Sequence, residues 1–122
     1  MESKFDFDPN DLATTAEAVG DSYVLNGAKV NVPFAEEASA MIVYAELEGK
    51  TVGFILPKNT PGVTISSERQ KLMGLNALPF YSVKLEGVHL PKPQLLPGDF
   101  GPVLDSTRIA LAAMAVGVAK AA

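Results

Sequence analysis

The hydrophobic positions of this chain fall into short runs that glycine, proline and polar residues separate. The run 23–32 carries Asn26–Gly27 at its centre, and this pair readily supplies the two positive-φ positions of a tight turn. The flanking residues favour β-structure. We therefore predict a β-hairpin in which Asn26–Gly27 is the turn.

Further runs predict more strands of the same kind. The runs 40–46 and 51–56 predict a second hairpin with Gly49 at the tip of its loop, and residues 62–66 predict a short strand. In 80–90 Tyr81, Val83 and Leu85 alternate with polar residues, so one face of that strand is predicted to be buried. The side chain of His89 is predicted to point to the opposite face from those of its sequence neighbours Val88 and Leu90. Turn signals every 8 to 12 residues or so indicate an all-β fold, and we predict an antiparallel β-barrel.

The last twenty residues differ from the rest of the chain. They follow Gly101–Pro102, are rich in alanine and predict a single C-terminal α-helix. We divide the chain into a β-barrel domain, residues 1–102, and the start of a helical domain, residues 103–122. Between Arg108 and Lys120 the helix has no polar face, and such a helix is normally buried on all sides. We therefore expect a piece of a longer protein, or an oligomer formed through this helix.

Composition excludes several classes of function. Ten Lys and Arg against fourteen Asp and Glu give a net charge of -4, so no nucleic-acid partner is expected. The chain has no Cys and a single His, and we predict neither a metal site nor a catalytic residue in it. The start is polar, and the apolar run 109–119 is shorter than the roughly 20 residues that span a bilayer. No membrane span and a cytoplasmic location are expected.

One pair of charged residues lies at helical spacing. Asp105 and Arg108 are three residues apart near the start of the predicted helix, so their side chains share one face. Chemistry alone predicts a local ion pair there.

Five short sequence motifs, taken together in their order along the chain, resemble a known protein family, although each motif alone is too short to be specific. They are GDSYVLNGAK, KLMGLNALP, VKLEGVHLP, LLPGD and LDSTRIALAAMAVGVAKAA. Together they cover the chain from about Glu2 to Ala122, and the whole resembles the middle domain of acyl-CoA dehydrogenases. The resemblance implies a β-barrel between two helical domains, FAD between the barrel and the C-terminal helices, and oxidation of an acyl-CoA thioester with hydride transfer to FAD. The family's catalytic Glu has no counterpart in these 122 residues.

The resemblance also assigns residues. It places Asp105 and Arg108 at the acyl-CoA substrate and Val32 beside the isoalloxazine ring of FAD. Most of the other positions that match the family pattern are expected to be structural, and these positions are Gly20, Tyr23, Asn26, Gly27, Lys29, Lys71, Gly74, Glu86, Val88, Pro91 and Gly117.

Several flavin-facing positions depart from the family pattern. Phe7 occupies a position where the family usually has Ser. Where the family typically has the sequence Trp-Ile-Thr-Asn, this chain has Asn31-Val32-Pro33-Phe34. Asn76, Leu78 and Phe80 replace an Arg, a Ser and a Thr. Because the replaced side chains donate hydrogen bonds to the flavin or border it, we expect weak FAD binding by this copy.

These observations leave alternatives open. On the first interpretation, which the resemblance implies, the chain is the middle domain of an acyl-CoA dehydrogenase-like flavoprotein and is incomplete and inactive alone. Acyl-CoA is then the expected substrate, and homo- or hetero-oligomers are expected to form through the helical domains. Alternatively, it belongs to a degenerate, non-catalytic partner subunit or binding module. A free-standing barrel that binds a small ligand or a protein is the third interpretation.

Overall fold

The computed structural model describes residues 1–3, 7–71 and 77–121. Gly74 and Asn76 of the KLMGLNALP motif lie outside these ranges. The described residues form six strands, a short 3-10 helix, Lys92–Gln94, and one α-helix, α1, Phe100–Ala121. The strands are β1 Thr15–Val19, β2 Ser22–Pro33, β3 Ala40–Leu47, β4 Lys50–Pro57, β5 Val63–Ile65 and β6 Phe80–Pro91.

The strands form one sheet in the order β4-β3-β1-β2-β6-β5. All neighbouring strands run antiparallel except β1 and β3, which are parallel through Thr15 and Glu46. The edge strands β4 and β5 do not pair with each other in the described ranges. The all-β class with one C-terminal helix is thus confirmed, and the sheet is mixed and open where we predicted an antiparallel closed barrel.

The buried hydrophobic side chains of the described residues form one cluster. Tyr23 meets Phe54 edge to face, with ring centroids 5.3 Å apart. The predicted hairpin of β3 and β4 is confirmed, and Glu48 and Gly49 form its turn with φ of 52° and 78°, as a tight two-residue turn requires. The largest fully buried hydrophobic side chains are Phe54, Leu25, Leu56, Leu85, Leu90, Val83 and Val88.

The predicted hairpin turn at Asn26–Gly27 is wrong. β2 runs straight through this pair, and the turn lies earlier, between Val19 and Ser22. The pairing of β2 with β6 shifts between Leu25 and Gly27, and the side-chain Oδ1 of Asn26 accepts a hydrogen bond from the Gly87 N–H at 2.7 Å. The positive φ of Gly27, 147°, therefore serves a bulge inside a strand.

The alternation predicted for residues 80–90 is confirmed. Tyr81, Val83 and Leu85 are buried, and beyond Gly87, at φ 59°, the buried positions change to Val88 and Leu90. His89 is exposed, as expected for a side chain on the opposite face from its neighbours.

The helix α1 begins at Phe100, three residues before the predicted domain boundary, which stays a prediction. Gly101–Pro102 lies in its first turn, where proline is tolerated because the first N–H groups have no partner within the helix. Phe100 packs on Tyr44 with ring centroids 4.8 Å apart. No described residue of α1 is buried, and its exposed large apolar side chains are Val103, Ile109, Leu111, Met114, Val116 and Val118.

The length of α1 changes one sequence argument. The run 109–119 is too short to span a bilayer, but the whole helix is long and apolar enough to do so by length and composition. The buried core helix of a soluble protein can have the same length and apolar composition. Length and composition therefore do not distinguish a membrane-spanning helix from one that packs against other helices.

Candidate functional site

A cleft of about 250 Å³ opens beside β2 and β3. Its wall from β2 contains Val32, the residue assigned to the cofactor from the sequence, between Asn31 and Pro33. Phe7 lies against the same cleft, so three departures from the family pattern meet in one place. The other lining residues are Met1, Lys29, Met41, Ile42, Val43, Tyr44 and Val83.

An irregularity of β2 shapes this wall. The pairing of β2 with β6 shifts between Lys29 and Val32, and Asn31 has a left-handed φ of 54°. In a regular strand neighbouring side chains point to opposite faces, whereas residues 31–33 all line the cleft. Asn is among the few residues that adopt this backbone conformation at low cost.

The polar side chains of the cleft are few. Lys29 is engaged, because its Nζ lies 2.7 Å from Glu2 Oε1. The half-buried amide of Asn31 makes no hydrogen bond with the residues that the structure describes. Phe7, Val32 and Pro33 offer no side-chain donor. The described lining is therefore mostly apolar, and its polar side chains are Lys29, Asn31 and Tyr44.

Beneath the cleft lies a buried network that sequence analysis missed. Glu2 Oε1 accepts hydrogen bonds from Lys29 Nζ, from Thr14 N at 2.9 Å and from Thr14 Oγ1 at 2.6 Å, and its Oε2 accepts one from Ala13 N at 2.7 Å. Burial alone would raise the pKa of Glu2, but these donors hold it at about 2. The carboxylate has its donors in place, so the network is structural.

The two remaining described departures lie away from this wall. Leu78 is partly exposed before β6, and Phe80 begins that strand; neither lines the cleft. The described part of the chain thus brings Phe7, Asn31 and Pro33 together and leaves Leu78 and Phe80 apart.

Comparison with known proteins identifies the family. The sequence profile of the acyl-CoA dehydrogenase middle domain matches residues 2–88 of the chain. The chain belongs to the acyl-CoA dehydrogenase family. It is 39% identical over 127 residues to the short-chain specific acyl-CoA dehydrogenase of Bos taurus mitochondria, covering 94% of this chain and 30% of the relative.

Other members of the acyl-CoA dehydrogenase family are similar to the chain in sequence and in structure. The glutaryl-CoA dehydrogenase of Desulfococcus multivorans is 35% identical, covering 90% of this chain and 31% of that protein. The crystal structure of a glutaryl-CoA dehydrogenase from Mycobacterium smegmatis superimposes with a TM-score of 0.72 at 33% identity, covering 80% of this chain and 25% of that chain. The chain thus spans about a third of the length of its curated relatives.

The two residues assigned to the substrate lie elsewhere on this acyl-CoA dehydrogenase domain. Asp105 and Arg108 are exposed on α1, with 3.6 Å between Asp105 Oδ1 and Arg108 Nη1. Neither lines the cleft that contains Val32. The geometry gives the local ion pair that i, i+3 spacing predicts, and the substrate role stays a prediction.

Proposed function

We propose that the chain forms one wall of an acyl-CoA-binding cleft in a larger protein of the acyl-CoA dehydrogenase family. The observation that carries the proposal is the cleft itself, because it lies at residues 31–33, which stand where the family pattern borders the isoalloxazine ring of FAD. The whole protein would oxidise an acyl-CoA thioester between Cα and Cβ, and these 122 residues alone would be inactive.

FAD is the cofactor that this function implies, and one similar solved structure is described as a FAD-dependent dehydrogenase (TM-score 0.69, 32% identity). The isoalloxazine ring carries carbonyl oxygens and ring nitrogens that need hydrogen-bond donors when buried. Phe7 and Pro33 have no such donor, since Pro33 lacks even the backbone N–H, and Lys29 is held by Glu2. Phe7 and Pro33 therefore fit the flavin ring less well than the residues of the family pattern, while the Asn31 amide and the Tyr44 hydroxyl remain in the described lining as possible donors.

This misfit favours a second candidate, a non-catalytic partner subunit that binds a CoA thioester without oxidising it. Both candidates predict CoA-thioester binding, and they differ in turnover. The test is reduction of an electron-accepting dye by the whole protein with added FAD and acyl-CoA. Turnover supports the enzyme, whereas binding measured by calorimetry without turnover supports the partner subunit.

The substrate role of Asp105 and Arg108 makes a separate prediction. Replacing both residues with Ala should weaken acyl-CoA binding by the whole protein about tenfold or more, because charge-assisted contacts are lost. Folding stability should hardly change, since an exposed pair of this spacing contributes only about 0.3 to 0.5 kcal/mol. Lys84→Ala with Glu86→Ala removes another exposed ion pair and is the matched control. Equal affinity of both double variants in calorimetry would remove Asp105 and Arg108 from the site.

The uncovered helix makes a prediction about association. We expect α1 to be covered by further helices of the whole protein, and the 122-residue chain alone to self-associate through it. A chain that ends at Asp99 should be monomeric in sedimentation experiments, whereas the chain through Ala122 should form larger species. A monomer in both cases would contradict this prediction.

A further inference from the structure

The side chain of Tyr44 takes part in two clefts. It lines the cleft beside β2 and β3, and it also lines a smaller cavity of about 140 Å³ between β4 and the start of α1. Tyr44 is the residue that the described linings of these two spaces share. A movement of this side chain therefore changes the shape of both.

The ring of Tyr44 has a defined place against β4. Tyr44 pairs with Gly53 across the hairpin, and a Cβ atom at Gly53 would lie 3.1 Å from Cε1 of Tyr44 and 3.0 Å from Cδ1 of Leu96. Both distances are shorter than the optimal separation of two carbon atoms, about 3.5 to 4.0 Å. The missing side chain at Gly53 thus gives room to the ring and to Leu96, whose N–H donates to the Gly53 carbonyl oxygen at 2.8 Å.

The ring of Tyr44 also contacts α1. Its centroid lies 4.8 Å from that of Phe100, the first residue of the helix, with an angle of 53° between the rings, and aromatic pairs attract at this separation. The described residues of α1 that are partly buried are Phe100, Gly101 and Leu104, whereas residues 105–121 are exposed. The ring pair therefore lies where α1 leaves the sheet.

The direction of α1 decides where its charged residues lie. An α-helix rises about 1.5 Å per residue, so Asp105 and Arg108 are roughly 8 and 12 Å along the axis from Phe100. Both residues are exposed, and their ion pair joins them only to each other. A change of the helix direction at Phe100 therefore moves both charges relative to the cleft that contains Val32.

We propose that Tyr44 is a positioning residue. Through its ring contact with Phe100 it sets the direction in which α1 leaves the sheet, and with it the distance of Asp105 and Arg108 from the cleft that contains Val32. The positioning of α1 follows from the ring contact alone, and the importance of that distance for a ligand rests on the proposed function.

The first arm of the test measures the direction of α1 without any ligand. The 122-residue chain has no Cys, so Glu17→Cys on β1 and Ala112→Cys on α1 introduce two unique sites for spin labels at exposed positions. Electron paramagnetic resonance gives the distribution of distances between the labels, and dilution with unlabelled chain removes distances between copies. We expect a narrow distribution that broadens or shifts in Phe100→Leu and in Tyr44→Leu.

Conservative variants separate the ring contact from a general loss of stability. Phe100→Tyr and Tyr44→Phe keep both rings and should keep the distribution narrow. Val103→Ala truncates another α1 residue of the smaller cavity and is the matched control. Tyr44→Leu with Phe100→Leu should change the distribution no more than either alone, because both act through one contact. The same distribution in all variants, an equal change in Val103→Ala, or no rescue by Phe100→Tyr overturns the proposal.

The second arm tests the consequence for binding. The whole protein and its variants are titrated in a calorimeter with butyryl-CoA. Although Phe100 does not line the cleft, we expect Phe100→Leu to weaken binding about threefold to tenfold, up to the loss expected when the charges of Asp105 and Arg108 are removed. Phe100→Tyr should restore the affinity, and Val103→Ala should not change it.

The outcomes for the two proposals are distinct. If butyryl-CoA binds the unmodified protein and all variants equally, the proposed function stands and the positioning role of Tyr44 toward a ligand is overturned. If butyryl-CoA does not bind the unmodified protein, the proposed function fails, and the label distances decide whether Tyr44 sets the direction of α1.

Discussion

Replacing Lys29 with Met is expected to lower the free energy of unfolding by about 3 to 5 kcal/mol, because Glu2 would remain buried without its counter-charge. The side chains of Lys29 and Glu2 are only 9% and 3% exposed, and their charged atoms are 2.7 Å apart. Lys92→Met is the matched control, because Lys92 Nζ lies 3.3 Å from Oδ1 of Asp21 and the side chain of this aspartate is fully exposed to solvent. That control should cost less than about 1 kcal/mol in urea unfolding. If the two variants lose similar amounts of free energy of unfolding, the buried pair stabilises the fold no more than the exposed one.

The same network predicts a pH dependence. The folded-state pKa of Glu2, about 2, lies below its ordinary value of 4.5, so its stabilisation is present above pH 4.5 and is lost as the pH falls toward 2. The difference in pKa corresponds to roughly 3 kcal/mol. Burial lowers the pKa of Lys29, and this cost offsets part of that amount.

Glu2→Gln isolates this contribution from the other carboxylates. Its destabilisation relative to the unmodified protein should be largest near neutral pH and shrink as the pH is lowered from about 4.5 to about 2. Urea unfolding of both proteins across this range measures the difference. A difference that is constant with pH would contradict a charged Glu2 in the fold.

Local pattern was sufficient where neighbouring residues decide the structure. Alternation identified β6 and the buried positions Tyr81, Val83 and Leu85, and the glycine at residue 49 marked the turn between β3 and β4. The bulge at Gly27 could not be predicted in the same way, because a positive φ suits a turn and a bulge equally well. What separates the two is contact with Thr14, which no local pattern contains.

The candidate site shows the same limit. The i, i+3 spacing of Asp105 and Arg108 predicted their ion pair, and the resemblance led to Val32. No spacing connects Phe7 with Pro33 or Glu2 with Lys29, since these pairs meet only when distant parts of the chain fold together. The match of Lys29 to the family motif was the single sign of the buried network.

Gly27→Ala is the second substitution with a large expected effect. A Cβ atom at Gly27 would lie 2.7 Å from both Cα and Oγ1 of Thr14 and 2.9 Å from its Cβ. Thr14 is fully buried, and its N–H and hydroxyl both donate to Glu2, so it cannot move without loss of those hydrogen bonds. Overpacking costs about 1 to 3 kcal/mol and backbone strain a similar amount, so we expect a loss of about 2 to 5 kcal/mol in the free energy of unfolding.

Gly49→Ala separates the contact from the backbone conformation. Gly49 also has a positive φ, 78°, but no atom lies within 4 Å of the position of its Cβ, so only the backbone term applies. It should cost about 1 to 2 kcal/mol in the same urea experiment. Adding Thr14→Ala to Gly27→Ala should not restore stability, because the clash with the Thr14 Cα remains and the hydroxyl's bond to Glu2 is lost. Equal costs for Gly27→Ala and Gly49→Ala, or rescue by Thr14→Ala, would show that contact with the Thr14 backbone is not what requires glycine at residue 27.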